Sequence, residues 1–392
     1  MSSGKAHRCM SCIVEIGFPG LFICVNSSRR FDKSSYFVNL INDDRENNAL
    51  DLLDMGEHHE WVLYGPILDK TLIRNYMFYN LAGQIMDYAP EIKFCEAFIN
   101  NEYQGIYLLC ESVTAGENRI NISVNKKDNT FSGYILRLDR GSESEYKNLD
   151  NFSHYSYQVK SVIDCVYPGL SNLNDRLKKS ITDDFSYFEK CLYSYDYNDD
   201  KYGYRTMIDV DSFVNYFIIN ELAGNYDAGA FSTYIYRDLD GKFKLCVWDF
   251  NNSCDNYMEQ KIDYKGFGLV HRSWFVMLSK DEYFIEKVIA RYKELREDIL
   301  SEENLMNFID DTVEYLGDSI DRNYEIWGYS FDSHDLNNVL LPFDRNPNNY
   351  EEAISDLKMF LIRRGRWMDE NIDSLRQYCA NSATKKFDLN TD

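Results

Sequence analysis

Residues 220–251 read NELAGNYDAGAFSTYIYRDLDGKFKLCVWDFN, and the rest of the chain falls into place around them. Just upstream, Val210, Phe213, Val214, Phe217, Ile218 and Leu222 recur at helical spacing. Asp209 or Asp211 supplies the N-cap of that helix and Gly224 its C-terminal stop. A hairpin follows, with strands Thr233–Arg237 and Lys242–Trp248 around the turn Asp238-Leu239-Asp240-Gly241. A strand, a tight turn and an antiparallel return bring the chain back to where it left. Asp227 precedes the first strand and Asp249 ends the second, 22 residues later, so both are expected at one open end of the hairpin. Phosphoryl transfer needs such a pair: one carboxylate orients the attacking hydroxyl and another holds the metal. Phe243, Leu245, Val247 and Asp249 share strand parity, which predicts Asp249 on the apolar face, where an ionised carboxylate needs a partner. On spacing alone, Asp249 also reads as a strand-end residue capping the next turn.

Working outward, Tyr36 to Leu40 is a short strand pattern and Asp69–Tyr88 a helix, with Leu72, Ile73, Tyr76, Leu81 and Ile85 at helical spacing and Pro90 as its stop. Lys93–Ile99 and Tyr103–Glu111 form a hairpin around Asn100-Asn101-Glu102, and Gly133–Asp139 is another strand. Residues 142–205 are polar, with loops and one or two helices. The remainder is helical, at Ile285–Leu300, Glu303–Leu316 and Tyr350–Tyr378. This order predicts an α+β chain, strand-rich first and helix-rich afterwards.

The chain has 392 residues, 44% hydrophobic and 27% charged, enough for a sizeable core and for one large bilobal enzyme or two to three domains. Its aromatic share of 15% favours strands and filled interfaces. A formal net charge of −22 argues against a duplex nucleic acid partner; its field favours a basic protein, although taken alone the acidity reads first as a device for solubility. Ten cysteines are scattered; Cys95, Cys110 and Cys246 sit in apolar strand patterns, as buried thiols of a reducing compartment do. Cys9 and Cys12 form one CxxC with nothing to complete a zinc set. No run is long and apolar enough to span a membrane, and no signal peptide is read. His58-His59, between Glu57 and Glu60, reads as a solvated turn over a metal pair, and the set around Trp327 and Trp367 as helix packing over a ligand cage. There is no P-loop, Ser-His-Asp signature or HExxH.

Six segments in order resemble the CotH kinase family of spore-coat and related proteins: EWVLYGPILDKTLIRN (60–75), YAPEIKFCEAFIN (88–100), YQGIYLLCE (103–111), SGYILRLD (132–139), NYD (225–227) and VWDFN (247–251). The likeness runs from about Asn26 to Tyr378. It implies a bilobal, atypical protein-kinase-like fold, expected here as a strand-rich N-lobe at 1–115, with 1–25 unassigned, and a mainly helical C-lobe at 116–392; the tail 380–392, beyond the likeness, is expected to be disordered. It implies ATP and a divalent metal, Mg²⁺ or Mn²⁺, as cofactors, and Ser phosphorylation of coat or secreted proteins. By the same likeness Asp227 matches the catalytic aspartate and Asp249 the metal-holding one, with Asn251 assisting. Glu111 would stand near the adenine, Arg74 would face the phosphates and Lys33 would bind phosphate. Surface or structural roles remain open for Arg74 and Lys33. Lys160 lies in a strand shared with the family but receives no role.

The chain departs from the family pattern in places. Cys24-Val25-Asn26-Ser27 stands where Arg-Gly-Asn-Ser is usual, and Val25 denies the close backbone approach that glycine allows. Ser34 replaces a lysine, and Phe231-Ser232 stands where many members carry Asn. The expected function is therefore an ATP- and metal-dependent protein serine kinase acting on a basic, Ser-rich protein, in the cytoplasm or a spore coat. The alternatives are a catalytically weak docking protein of a coat assembly and a metal-dependent phosphohydrolase.

Overall fold

The computed structural model describes residues 13–16, 21–23, 31–123, 131–141, 144–155, 161–332 and 345–379. Cys9, Cys12, the 24–28 loop, Lys160 and the tail 380–392 lie outside them.

The first sheet has six strands in the order β1 (Ile13–Ile16), β7 (Ile92–Ile99), β8 (Glu102–Glu111), β6 (Glu60–Tyr64), β3 (Tyr36–Asn39), β2 (Leu21–Ile23). Its β1–β7 pair is parallel and the other pairs are antiparallel. The β7–β8 turn uses Asn100 and Asn101, both left-handed at φ 53° and 63°, the conformation a two-residue hairpin needs and Asn tolerates. A two-stranded ribbon, β4 (Leu50–Asp51) with β5 (Glu57–His58), sits outside this sheet. His58 is buried there and its ring stacks on His59 at 4.7 Å, so the pair is not the solvated turn its acidic neighbours suggested.

The second sheet is separate, in the order β10 (Val162–Tyr167), β9 (Tyr134–Asp139), β11 (Thr233–Arg237), β12 (Lys244–Cys246), antiparallel throughout. The expected hairpin is present with a shorter second strand. The strand at 134–139 joins this hairpin, not the first sheet.

Among the described residues the helices are α1 (Arg74–Gly83), α2 (Asp175–Tyr193), α3 (Val210–Ala223), α4 (Phe275–Leu278), α5 (Glu282–Arg296), α6 (Glu302–Leu316), α7 (Ser319–Trp327) and α8 (Tyr350–Asn371). The architecture is α+β, with sheets towards the N-terminus and most helices towards the C-terminus. No helix among the described residues is long and apolar enough to cross a membrane.

Helix α3 is the axis of the core. Asp209 caps it by accepting from the Ser212 amide at 3.1 Å, and Gly224 ends it at φ +58°. A Cβ at Gly224 would meet Phe360 at 2.9 Å, so glycine is needed there for space as well as conformation. Tyr216, Phe217, Ile218, Ile219, Asn220 and Glu221 are all buried, because α1, α5, α8 and β12 surround the helix. The largest core cluster runs from Leu72 and Phe94 through α3 to Leu375, so the apolar face of α1 and the C-terminal helices share one interior, while Trp61, Leu63 and Tyr107 belong to a separate cluster.

Candidate active site

Two segments meet beyond the open end of the β11–β12 hairpin. One is Asn225–Asp227, just after α3; the other is Asp249–Asn252, just after β12. The Asn225 side chain donates to the Asp249 carbonyl at 3.4 Å, and the Asn252 side chain donates to Asp227 Oδ2 at 2.7 Å. The structure thus brings Asp227, Asp249 and Asn251 together.

Asp249 does not lie on the apolar face of a strand. The strand ends at Cys246, and Asp249 is left-handed at φ +57°. A non-glycine residue held there costs about 1–3 kcal/mol, and the surroundings must impose it. They do so from α1. Tyr79 Oη accepts the Asp249 amide at 3.0 Å, Asn75 Oδ1 accepts the Phe250 amide at 2.6 Å, and Phe78 stacks on Phe250 at 4.8 Å. Strand alternation therefore predicted the wrong local geometry for Asp249, although the open-end placement was sound.

The electrostatics are those of crowded carboxylates. Burial, and next the charge of Asp227, push the Asp249 carboxyl up to about 7. Burial also raises the Asp227 carboxyl, opposed by its bond from Asn252 and by the charges of Arg140 and Arg272. Asp227 Oδ1 and Asn251 Oδ1 are buried with no hydrogen-bond partner among the described residues. Asn251 donates its amide to Asp249 Oδ1 at 3.3 Å, and its side chain reaches Tyr64.

A third carboxylate, Asp139 at the end of β9, acts on both aspartates by raising their proton affinity, and Arg140 bonds it at 3.5 Å. Its motif, SGYILRLD, is visible in the sequence, where nothing assigns Asp139 a role. As another strand-end aspartate it carried the same signal as Asp249. Asn252 was missed too, and nothing local marks it, because its partner is 25 residues away.

The remaining candidates, Lys33, Arg74 and Glu111, each have protein partners. Lys33 is buried, its ammonium bonded to Asn323 Oδ1 at 2.7 Å and set between the Tyr107 and Trp327 rings at 5.2 and 5.6 Å. Burial drives its pKa well down. Arg74 pairs with Asp69 at 2.6 Å and donates to the Ser253 and Cys254 carbonyls at 3.0 and 3.3 Å. It ties α1 to the loop after Asn252. Glu111 pairs with Arg119 at 2.6 Å and accepts from Tyr88 Oη and the Glu91 amide.

The donor set suits a hard cation. Carboxylate and amide oxygens converge, two of them orphaned, and a positive charge would relieve the repulsion between Asp227 and Asp249. No group of three or more His, Cys, Asp or Glu among the described residues forms a self-sufficient metal cage, so any cation here would need ligands from elsewhere, as with nucleotide-borne Mg²⁺.

Among curated proteins no relative is found. One solved structure with a likeness is the HipA–HipB toxin–antitoxin complex with operator DNA from Shewanella oneidensis MR-1. Identity is 13% over 92% of this chain and 68% of that one, and the TM-score of 0.33 is too low for the likeness to bear on fold or function. The model of the CotH kinase protein family matches residues 26–368, which span both carboxylate segments and the helix that holds them. The chain belongs to the CotH kinase protein family, a membership that implies use of ATP.

Proposed function

We propose that the chain transfers the terminal phosphate of ATP to a serine hydroxyl of a basic protein, with Mg²⁺ or Mn²⁺ as the cation and a spore-coat or secreted protein as substrate. The observation that carries this reading is the pair of buried oxygens, Asp227 Oδ1 and Asn251 Oδ1, that have no hydrogen-bond partner among the described residues, in the same site as Asp249. A buried acceptor without a donor costs about 1–3 kcal/mol, so such a pair favours a site completed by a ligand.

Asp249 and Asn251 would hold the cation, and a bound cation would neutralise developing phosphate charge. Asp227 has its Oδ2 fixed by Asn252, which leaves Oδ1 to orient the serine hydroxyl and accept its proton. Burial increases the basicity of Asp227 and so suits it to that proton. Asn75 and Tyr79 hold the strained backbone at Asp249 before any ligand arrives. The net charge of −22 would steer a basic substrate towards the molecule.

The test compares nucleotide affinity by calorimetry with transfer to a basic, Ser-rich peptide. Asp249→Asn is expected to abolish metal-dependent ATP binding, because the lost charge is the one that holds the cation. Asp227→Asn is expected to leave binding nearly intact and to slow transfer by about 10²–10⁴-fold, the range for a positioned general base. Absence of transfer by the native protein with either metal would replace this reading with a docking protein of a coat assembly. Normal transfer by both variants would remove both residues from the mechanism.

A further inference from the structure

Away from Asp227 and Asp249, the turn before α1, the loop 254–264 and one face of α8 enclose a cavity of about 360 Å³. Lys70, Lys261 and Arg363 line it, from three separate parts of the chain. Lys70 is the unusual one. It is 2% exposed, and its ammonium has no hydrogen-bond acceptor among the described residues. A buried ammonium with no partner is a costly arrangement that a bound anion would relieve.

The carboxylates nearby do not supply that partner. Asp69, the neighbour in sequence, already accepts from Thr71 Oγ1 at 2.6 Å, from the Thr71 and Arg74 amides, and from the Arg74 guanidinium at 2.6 Å. Asp255 accepts from the Ile262 amide at 2.6 Å and from Arg345 at 3.4 Å. Asp263 accepts from the Lys265 amide at 3.0 Å. Asp356, on the exposed side of α8, makes no hydrogen bond to the Lys70 ammonium either. Arg74 and Arg345 also line the cavity, already paired with Asp69 and Asp255, and Asp255, Asp263 and Asp356 line it too, so Lys70, unpaired among the described residues, is what distinguishes it.

We propose that this cavity is an oxyanion site that takes a phosphate group, either as the free ion or on a phosphorylated side chain. The ammonium of Lys70 and the guanidinium of Arg363 would share the phosphate oxygens, with Lys261 from the loop as a third donor. The loop that supplies Lys261 follows directly on Asn251 and Asn252. An occupant would therefore bridge that loop to α8 and to the turn before α1. The burial of Lys70 pushes its pKa down to about 8, which still leaves the ammonium largely charged at neutral pH.

The experiment uses the full chain without nucleotide or metal, so its outcome does not depend on whether the chain transfers phosphate. Inorganic phosphate and, separately, a phosphoserine peptide are titrated by calorimetry into the native protein, Lys70→Met, Arg363→Gln and Asp249→Asn. Saturable binding is expected in the native protein and in Asp249→Asn, and about tenfold or weaker affinity in Lys70→Met and Arg363→Gln, from loss of one charge-assisted bond. Tighter binding of the peptide than of the free ion would support a phosphorylated side chain as the occupant; the reverse order would support free phosphate. Three results would overturn the site: no saturable binding of either probe, unchanged affinity in both Lys70→Met and Arg363→Gln, or loss of binding in Asp249→Asn.

Discussion

Replacing Lys70 with methionine should make the protein more stable in phosphate-free buffer. The residue is 2% exposed, and its ammonium has no acceptor among the described residues. Burial is the main cause that pushes its pKa from 10.5 down to about 8; the nearby Arg74 charge adds to this and Asp69 opposes it. At 1.36 kcal/mol per tenfold change in proton affinity, the fold carries a cost of about 3 kcal/mol while the group is charged. Methionine keeps an unbranched, flexible side chain of similar length and removes the charge, so a gain of about 1–3 kcal/mol is expected at pH 7.

The sign follows from proton counts. Below about pH 8 folded and unfolded chains both hold the Lys70 proton, and the full cost is present. Between about 8 and 10.5 the unfolded chain keeps the proton and the folded chain has lost it, so the native protein gains stability relative to the variant. The assay is urea unfolding of both proteins from pH 7 to pH 10. The variant's advantage should be largest at pH 7 and shrink above pH 8. A variant less stable than the native protein at pH 7, or a gap that stays constant to pH 10, would refute the reasoning.

The buried pair of Arg364 with Glu221, at 2.8 Å, should be far less tolerant. Arg364 also donates to the Glu221, Tyr264 and Gly266 carbonyls, so Arg364→Leu should cost about 3–5 kcal/mol in urea unfolding by leaving the Glu221 carboxylate buried without its counter-charge. Asn323→Ala removes the acceptor of both the Lys33 ammonium and the Ile106 amide, and should cost about 2–4 kcal/mol, read as a lower urea midpoint.

What could be read in the sequence was whatever local chemistry determines. The cap at Asp209, the glycine stop at 224 and the apolar spacing between them located α3 closely. Asn100 and Asn101 located the β7–β8 turn; the helices expected at Ile285–Leu300, Glu303–Leu316 and Tyr350–Tyr378 are present as α5, α6 and α8, with α5 shifted to Glu282–Arg296 and α8 ending at Asn371. Helix α1 begins at Arg74, not Asp69, because the Asp69 side chain is spent on the turn that leads into it. Strand β10 was not read, since its partner β9 lies across a polar stretch. Nor was α7 recognised, since its buried face is defined by β8, more than 200 residues away. In the candidate site the two aspartates were legible through the hairpin between them. The left-handed turn at Asp249 was not, because Tyr79 and Asn75 impose it from α1.

The contact between Lys33 and Asn323 spans 290 residues and sets a schedule for synthesis. At about 5–20 residues per second, the ribosome needs roughly 15–60 s to deliver Asn323 after Lys33 has emerged. For that interval the lysine has no native acceptor and must stay hydrated. The face of β8 against which α7 comes to rest stays uncovered as well, since the Trp327 indole that bonds the Gln104 carbonyl arrives later still. The first sheet is thus translated early but completed late, and α7 acts as its closing latch. A nascent chain paused before residue 319 would present that open face to chaperones, and release from them should coincide with emergence of α7, not with completion of the sheet's own strands.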